Sequence, residues 1–162
     1  MSSLRDQAWA AAASVTDPEI PVLSIADLGM LRAVEVAEDG HVTATIVPTY
    51  SGCPAMGVIE LEIKTALAQA GFEEAEVCLI RSPPWTTAWI TEQGREKLRA
   101  YGIAPPVEES NSKRSLFAED VIACPQCGSE RTEKISEFGS TACKALYRCL
   151  SCAEPFDYFK CI

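Results

Sequence analysis

The sequence predicts an α/β (α+β) fold, a small mixed sheet packed against two to three helices, followed by a C-terminal ribbon built on four cysteines. Three observations carry this. Runs of period two at 31–36 and 41–47 flank Glu38-Asp39-Gly40. Helix formers with one apolar side fill 4–13 and 54–70. Two CxxC pairs, Cys124/Cys127 and Cys149/Cys152, stand twenty-one residues apart near the end of the chain. With 162 residues, 48% of them apolar, the chain has material for one sizeable core and a small satellite.

The elements follow in order. Residues 4–13 use strong helix formers, with Leu4, Ala8 and Ala11 or Ala12 available for one face. Asp17-Pro18-Glu19 has the form of a helix cap followed by proline, but Pro21 opposes a long helix there. A turn or short helix over 24–29, stopped by Gly29, fits better. From Leu31 the period becomes two, with Leu31, Ala33 and Glu35 on one side and Arg32, Val34 and Val36 on the other. The return run from His41 to Val47 completes an antiparallel hairpin.

After the loop 48–53, Pro54 can open a helix to about Ala70, with Met56, Ile59, Ile63, Ala66, Leu67 and Ala70 on its apolar side. Glu60 and Lys64 form an i,i+4 pair on that helix, and Gly71 closes it. Residues 75–80 read as a third strand, with Cys78 pointing into the core. Beyond the Ser82-Pro83-Pro84 break, much of 87–101 reads as helix, with Ile90, Leu98 and Tyr101 packing and Gly102 as the stop. Trp89 reads as core, whereas Trp85 fits either packing or an interaction surface. Residues 103–123 begin as a linker, and Phe117 to Ala123 lead toward the first strand of the tail.

In the tail, each CxxC turn can place two sulfurs on one tetrahedral ion, and a hairpin through Thr132–Ile135 and Ala145–Tyr147 can bring the pairs together. Cys124, Cys127, Cys149 and Cys152 are thus candidate ligands of a structural zinc ion, Zn2+. Four protein thiolates leave no open position for water, which favours architecture over metal catalysis. A rubredoxin-type iron, an iron–sulfur cluster and redox dithiols remain the alternatives, and Cys143 and Cys161 are extra cysteines that could join the site.

Cys53 is the main candidate outside the tail. It precedes Pro54 at the expected helix start, where free N–H groups and the helix dipole would stabilise a thiolate. The alternative is a cap or a small buried hydrophobe. Asp17 and Glu19 could add carboxylates to a site there, or serve only as local caps. The single histidine, His41, sits beside a turn and reads as solvent-facing, so a cysteine–histidine enzyme lacks its base. No glycine-rich phosphate loop or nucleophile elbow occurs.

Charge narrows the partners. Residues 1–110 carry sixteen Asp/Glu against seven Lys/Arg, while residues 111–162 carry seven of each. An acidic main body opposes nucleic-acid binding. No run approaches the roughly 18 apolar residues of a membrane span, and Met1 to Asp6 lacks the pattern of an export leader. A cytoplasmic protein, bound to neither nucleic acid nor membrane, is expected.

The stretches DPEIPVLSIADLGML at 17–31 and PTYSGCPAM at 48–56 resemble the small DUF59-type domain of the iron–sulfur-cluster assembly family. WTTAWITEQGREKLRAYGIAPP at 85–106 and CPQCGS…FGSTACKALYRCLSC at 124–152 are similar to the phenylacetate-degradation subgroup of that family. The resemblance implies a DUF59-like domain over 1–107, a linker over 108–120 and the zinc ribbon over 121–162. It also implies a factor that matures or maintains the iron centres of a multicomponent phenylacetyl-CoA epoxidase, a ring monooxygenase. Cys53 then takes the place of the family's reactive cysteine, a transient holder of iron or an iron–sulfur cluster, with Asp17 and Glu19 as its acidic turn. Epoxidase components and iron–sulfur assembly proteins are the partners this implies, and because one thiolate supplies one ligand to a cluster, a second copy of the chain (a homodimer) could supply others. A docking subunit of the oxygenase and, less favoured, a cysteine-dependent enzyme are the competing classes.

Overall fold

A computed structural model describes residues 2–107 and 121–160 and divides the chain into two compact units, Met1–Gly94 and Arg95–Ile162. The fold class is the expected one. The division falls earlier than the sequence placed it, because Ile103–Ala104 pairs with a strand of the tail. The linker over 108–120 and Cys161 lie outside the described residues, as does the part of the Phe117 to Ala123 stretch before Val121.

In the first unit, helix α1 (Leu4–Ala13) begins at Ser3, whose side chain accepts from the Asp6 N–H while the Asp6 carboxylate accepts from Ser3 N–H. Ala8 and Ala12 are buried, but Leu4 is 61% exposed because it lies in the first turn, beyond the face that packs on the sheet. Strands β1 (Leu31–Val36) and β2 (Val42–Ile46) form the expected antiparallel hairpin around Gly40, which adopts a φ of 88°. A bulge between Leu31 and Ala33 shifts the pleat, so Leu31, Val34 and Val36 share the inner face with Val42, Ala44 and Ile46. The strict alternation expected for β1 therefore fails: one extra residue exchanges the two faces.

Helix α2 (Met56–Gln69) crosses from β2 to β3 (Ala75–Leu79), which pairs parallel to β2 at the end of the sheet order β1-β2-β3. Ile59, Ile63 and Leu67 are buried on its inner face, and Lys64 lies 2.9 Å from Glu60. Cys78 is exposed, not core, because Ala75, Val77 and Leu79 take the inner face opposite Val42, Ala44 and Ile46.

The turn over residues 17–30 is held by later residues of the same unit. Trp85 is buried and its Nε1 donates to the Leu28 carbonyl at 2.8 Å, while Thr91 N–H donates to the Asp27 carbonyl at 2.9 Å. Trp89, expected as core, is only half-buried and carries the Arg32 guanidinium 3.8 Å from its ring centroid. Gly29 has a φ of 72°, and a Cβ there would lie 2.5 Å from the Trp89 carbonyl oxygen. Gly29→Ala combines left-handed strain with a backbone clash, and is expected to cost about 3 kcal/mol, read as a lowered midpoint in urea.

The continuous helix expected over 87–101 is instead a 3-10 turn (Thr87–Trp89) followed by α3 (Glu92–Tyr101). Ile90, between them, is extended. Leu98 is buried, but Tyr101 at the helix end is 60% exposed.

The second unit holds a four-stranded sheet in the order β4-β7-β6-β5, with β4 (Ile103–Ala104), β5 (Thr132–Ser136), β6 (Lys144–Cys149) and β7 (Pro155–Phe159). Tyr147 anchors its core, stacking on Phe156 at 5.8 Å and meeting Tyr158 edge-on at 5.6 Å between centroids.

Candidate metal centre and thiol site

The four cysteines of the two CxxC pairs converge. Their sulfur atoms all lie within 4.8 Å of one another, with Cys124 to Cys152 at 3.8 Å and Cys127 to Cys149 at 3.6 Å. A tetrahedral ion with metal–sulfur bonds near 2.3 Å sets its ligands about 3.8 Å apart. The four thiols therefore fit one tetrahedral thiolate site, and all are free of disulfides.

The two knuckles are built alike. The Cys124 carbonyl accepts from Gly128 N–H at 2.8 Å, and Cys124 N–H donates to the Ser129 carbonyl at 2.9 Å. In the second knuckle Cys149 N–H donates to the Glu154 carbonyl at 2.9 Å. Ser129 and Ser151 hydroxyls meet at 2.8 Å and tie the knuckles together. The Cys149 thiol is held below its ordinary pKa by the Cys152 N–H first and by the Ser151 N–H, at 3.5 and 3.4 Å from the sulfur. Such donors favour a thiolate ready for metal.

After each second cysteine the chain turns left-handed, at Gly128 with φ 74° and at Ala153 with φ 65°. Glycine adopts this conformation freely, whereas alanine pays about 1 kcal/mol for it. Ala153→Gly is expected to stabilise the metal-loaded ribbon by about that amount, read as a rise in its melting temperature. Cys143 lies outside the tetracysteine group: it is buried, and its sulfur is 3.0 Å from the Thr141 hydroxyl.

Cys53 occupies the loop between β2 and α2. Gly52 turns the chain with φ 79°, and Cys53 N–H donates to the Tyr50 carbonyl at 3.4 Å. The helix begins at Met56 behind an Ala55 cap, not at Pro54, so Cys53 stands three residues before the first helical turn. It is 8% exposed. The expected depression of its pKa is reversed: burial pushes the thiol up, and the Glu19 and Asp17 charges push the same way. The Ala55 N–H and a side-chain hydrogen bond from Tyr50 act against this and are outweighed.

The acidic turn thus lies within electrostatic reach of Cys53. Asp17 is buried and also caps its own turn, its Oδ1 accepting from Glu19 N–H at 2.7 Å and Ile20 N–H at 3.0 Å. Tyr50, Ser129 and Ser151 were not singled out by the sequence. Each sits within three residues of a cysteine, and that spacing was their only signal. His41 is half-exposed at a side-chain accessibility of 38%, with Nε2 3.8 Å from Glu76.

Comparison with known proteins matches both parts of the chain. An iron–sulfur cluster assembly protein family covers residues 5–78, and the PaaD zinc beta ribbon domain family covers residues 108–160. The chain is 53% identical over 154 residues to a protein of Escherichia coli (strain K12) provisionally named as a subunit of 1,2-phenylacetyl-CoA epoxidase, spanning 95% of this chain and 91% of that protein. It is 36% identical over 85 residues, 52% of this chain and 82% of the relative, to the Fe-S protein maturation auxiliary factor YitW of Bacillus subtilis (strain 168). Among solved structures, a DUF59 domain of unknown function from Bacillus anthracis aligns with a TM-score of 0.55 at 28% identity, over 58% of this chain and 90% of that one. No helix among the described residues is long and apolar enough to cross a membrane.

Proposed function

Because the chain belongs to the PaaD/PaaJ-type branch of the DUF59-containing iron–sulfur-cluster assembly proteins, we propose that it is an accessory factor that matures the iron or iron–sulfur centres of a phenylacetyl-CoA epoxidase. The carrying observation is a 53% identity that runs through both units to a protein bearing that epoxidase's name. The names of the shorter relatives, all Fe-S protein maturation auxiliary factors, supply the auxiliary role and speak against a catalyst. Components of the epoxidase and of the iron–sulfur assembly machinery are its partners in this reading.

Cys53 is the transient ligand, and iron or a cluster is its cargo. A thiol that burial and two carboxylates keep protonated binds a cation only by giving up its proton, so the site takes metal when a donor presents it and does not sit charged between transfers. Asp17 and Glu19 shape that environment. The resident ion of the tail is zinc, held by Cys124, Cys127, Cys149 and Cys152 in a saturated site whose work is architectural.

The naming of the Escherichia coli relative as part of the epoxidase itself favours a second reading, a docking component of the oxygenase that carries no cargo. Cys53→Ser separates the two. In a reconstituted system that reads epoxidase activation, transfer requires the thiol and docking does not. Metal and sulfide analysis of protein purified without oxygen, on the same variant, tells zinc in the tail from iron at Cys53.

A further inference from the structure

The two edges of the three-stranded sheet differ. At β1 the outer edge is interrupted by the bulge between Leu31 and Ala33, and α1 packs over it, with Arg5 Nε donating to the Val34 carbonyl at 3.2 Å. Such devices close an edge against further pairing. Strand β3 lacks these: Ala75-Glu76-Val77-Cys78-Leu79 contains no proline, lysine or bulge, and its main packing partners among the described elements are β2 and α2.

Its backbone is poised to pair. Val42 N–H donates to the Glu74 carbonyl and Ile80 N–H donates to the Ile46 carbonyl, so the even-numbered residues of β3 face β2. The N–H and C=O groups of Ala75, Val77 and Leu79 therefore point away from the sheet. Leu79, at 41% exposed, adds an apolar side chain at that edge.

We propose that β3 pairs antiparallel with β3 of a second copy, centred on Val77, to form a continuous six-stranded sheet across a two-fold axis. Parity requires the outward residues to face one another, which allows only registers two residues apart. Moving the centre to Glu76 sets two like charges face to face. Centred on Val77, the pairing sets Glu76 beside Cys78 of the other copy and Leu79 beside its Ala75. Carried two residues further, it sets Arg81 against Glu73 at both ends. Both are exposed, and neither has an ion-pair partner among the described residues. Arg81 is one of only four Lys/Arg in the first unit, against thirteen Asp/Glu. A lone cation placed opposite an acid by symmetry is the complementarity that selects a second copy as the occupant. The net acidity of each copy opposes approach at low salt, so the dimer forms best at physiological ionic strength, where the screening length is about 8 Å.

Sedimentation of the full metal-loaded chain at that ionic strength tests this. The wild type is expected to show a monomer–dimer equilibrium in the micromolar range. Val77→Pro removes an outward N–H and part of an inner-face side chain while leaving the ladder to β2 intact, and is expected to yield a monomer whose circular dichroism matches that of Val77→Ala, the control for the lost packing. Arg81→Glu and Glu73→Arg, made singly, are each expected to weaken the dimer about tenfold, and the double exchange to restore it. A wild type that stays monomeric, or a double exchange no tighter than either single variant, overturns the proposal.

Discussion

Stripping the metal from the ribbon with a strong chelator is expected to unfold the described tail while leaving the first unit folded. The apolar core of the second unit is small, centred on Tyr147, Phe156, Tyr158, Ile122 and two of the metal-binding cysteines themselves. In domains of this size metal binding supplies on the order of 10 kcal/mol or more of the folding free energy, far more than such a core provides. Strand β4 shares the sheet through β7, so loss of order is expected to reach back to Ile103. Hydrogen exchange would show it as loss of protection in β4 through β7 with β1 to β3 unchanged. Cys149→Ser should act in the same direction without a chelator. Protonation competes with metal for the thiolates, so acidification favours release. Full protection after complete metal removal would refute a metal-dependent ribbon.

Cys53→Ser is expected to abolish epoxidase activation while changing stability little, since the side chain shrinks only slightly and its environment already favours a neutral group. The reactivity of the thiol gives an independent measure. With its pKa raised, Cys53 should be alkylated more slowly than free cysteine at neutral pH and catch up as pH rises toward the thiol's own range. Glu19→Gln removes one of the charges that raise that pKa, so it should speed alkylation at neutral pH. A fast reaction in the wild type at pH 7, unaltered by Glu19→Gln, would contradict the electrostatic account of the site.

Sequence pattern resolved the parts of this chain that depend on local chemistry. The helix formers of α1, the Gly40 hairpin, the apolar stripe of α2 and the CxxC pairs all act over a few residues. Features set by tertiary neighbours were misread. Cys78 sits on an edge strand, whose outer face no pattern of two can identify, and the bulge in β1 inverted the faces that alternation assigned. Trp89 is half-buried where core was expected, and Trp85, which fitted either role, is the buried indole, because the Leu28 carbonyl fifty-seven residues before Trp85 decides which ring is enclosed. The thiol of Cys53 was misjudged for a related reason. That a helix follows Cys53 is visible in sequence, but its start at Met56, the burial of the thiol and two carboxylates from another turn are not, and the last two outweigh the backbone donor.

The anchoring of the 17–30 turn by Trp85, Trp89 and Thr91 bears on what counts as an independent piece of this protein. The general assembly family matches only residues 5–78, yet the Leu28 and Asp27 carbonyls are bonded by residues beyond that span. A gene fragment cut at the end of the family match would leave both carbonyls to water and the loop bearing Asp17 without its clasp. The smallest heritable module that keeps the acidic turn in place therefore runs through Gly94, and insertions between Leu79 and Trp85 would be tolerated more readily than a stop codon there.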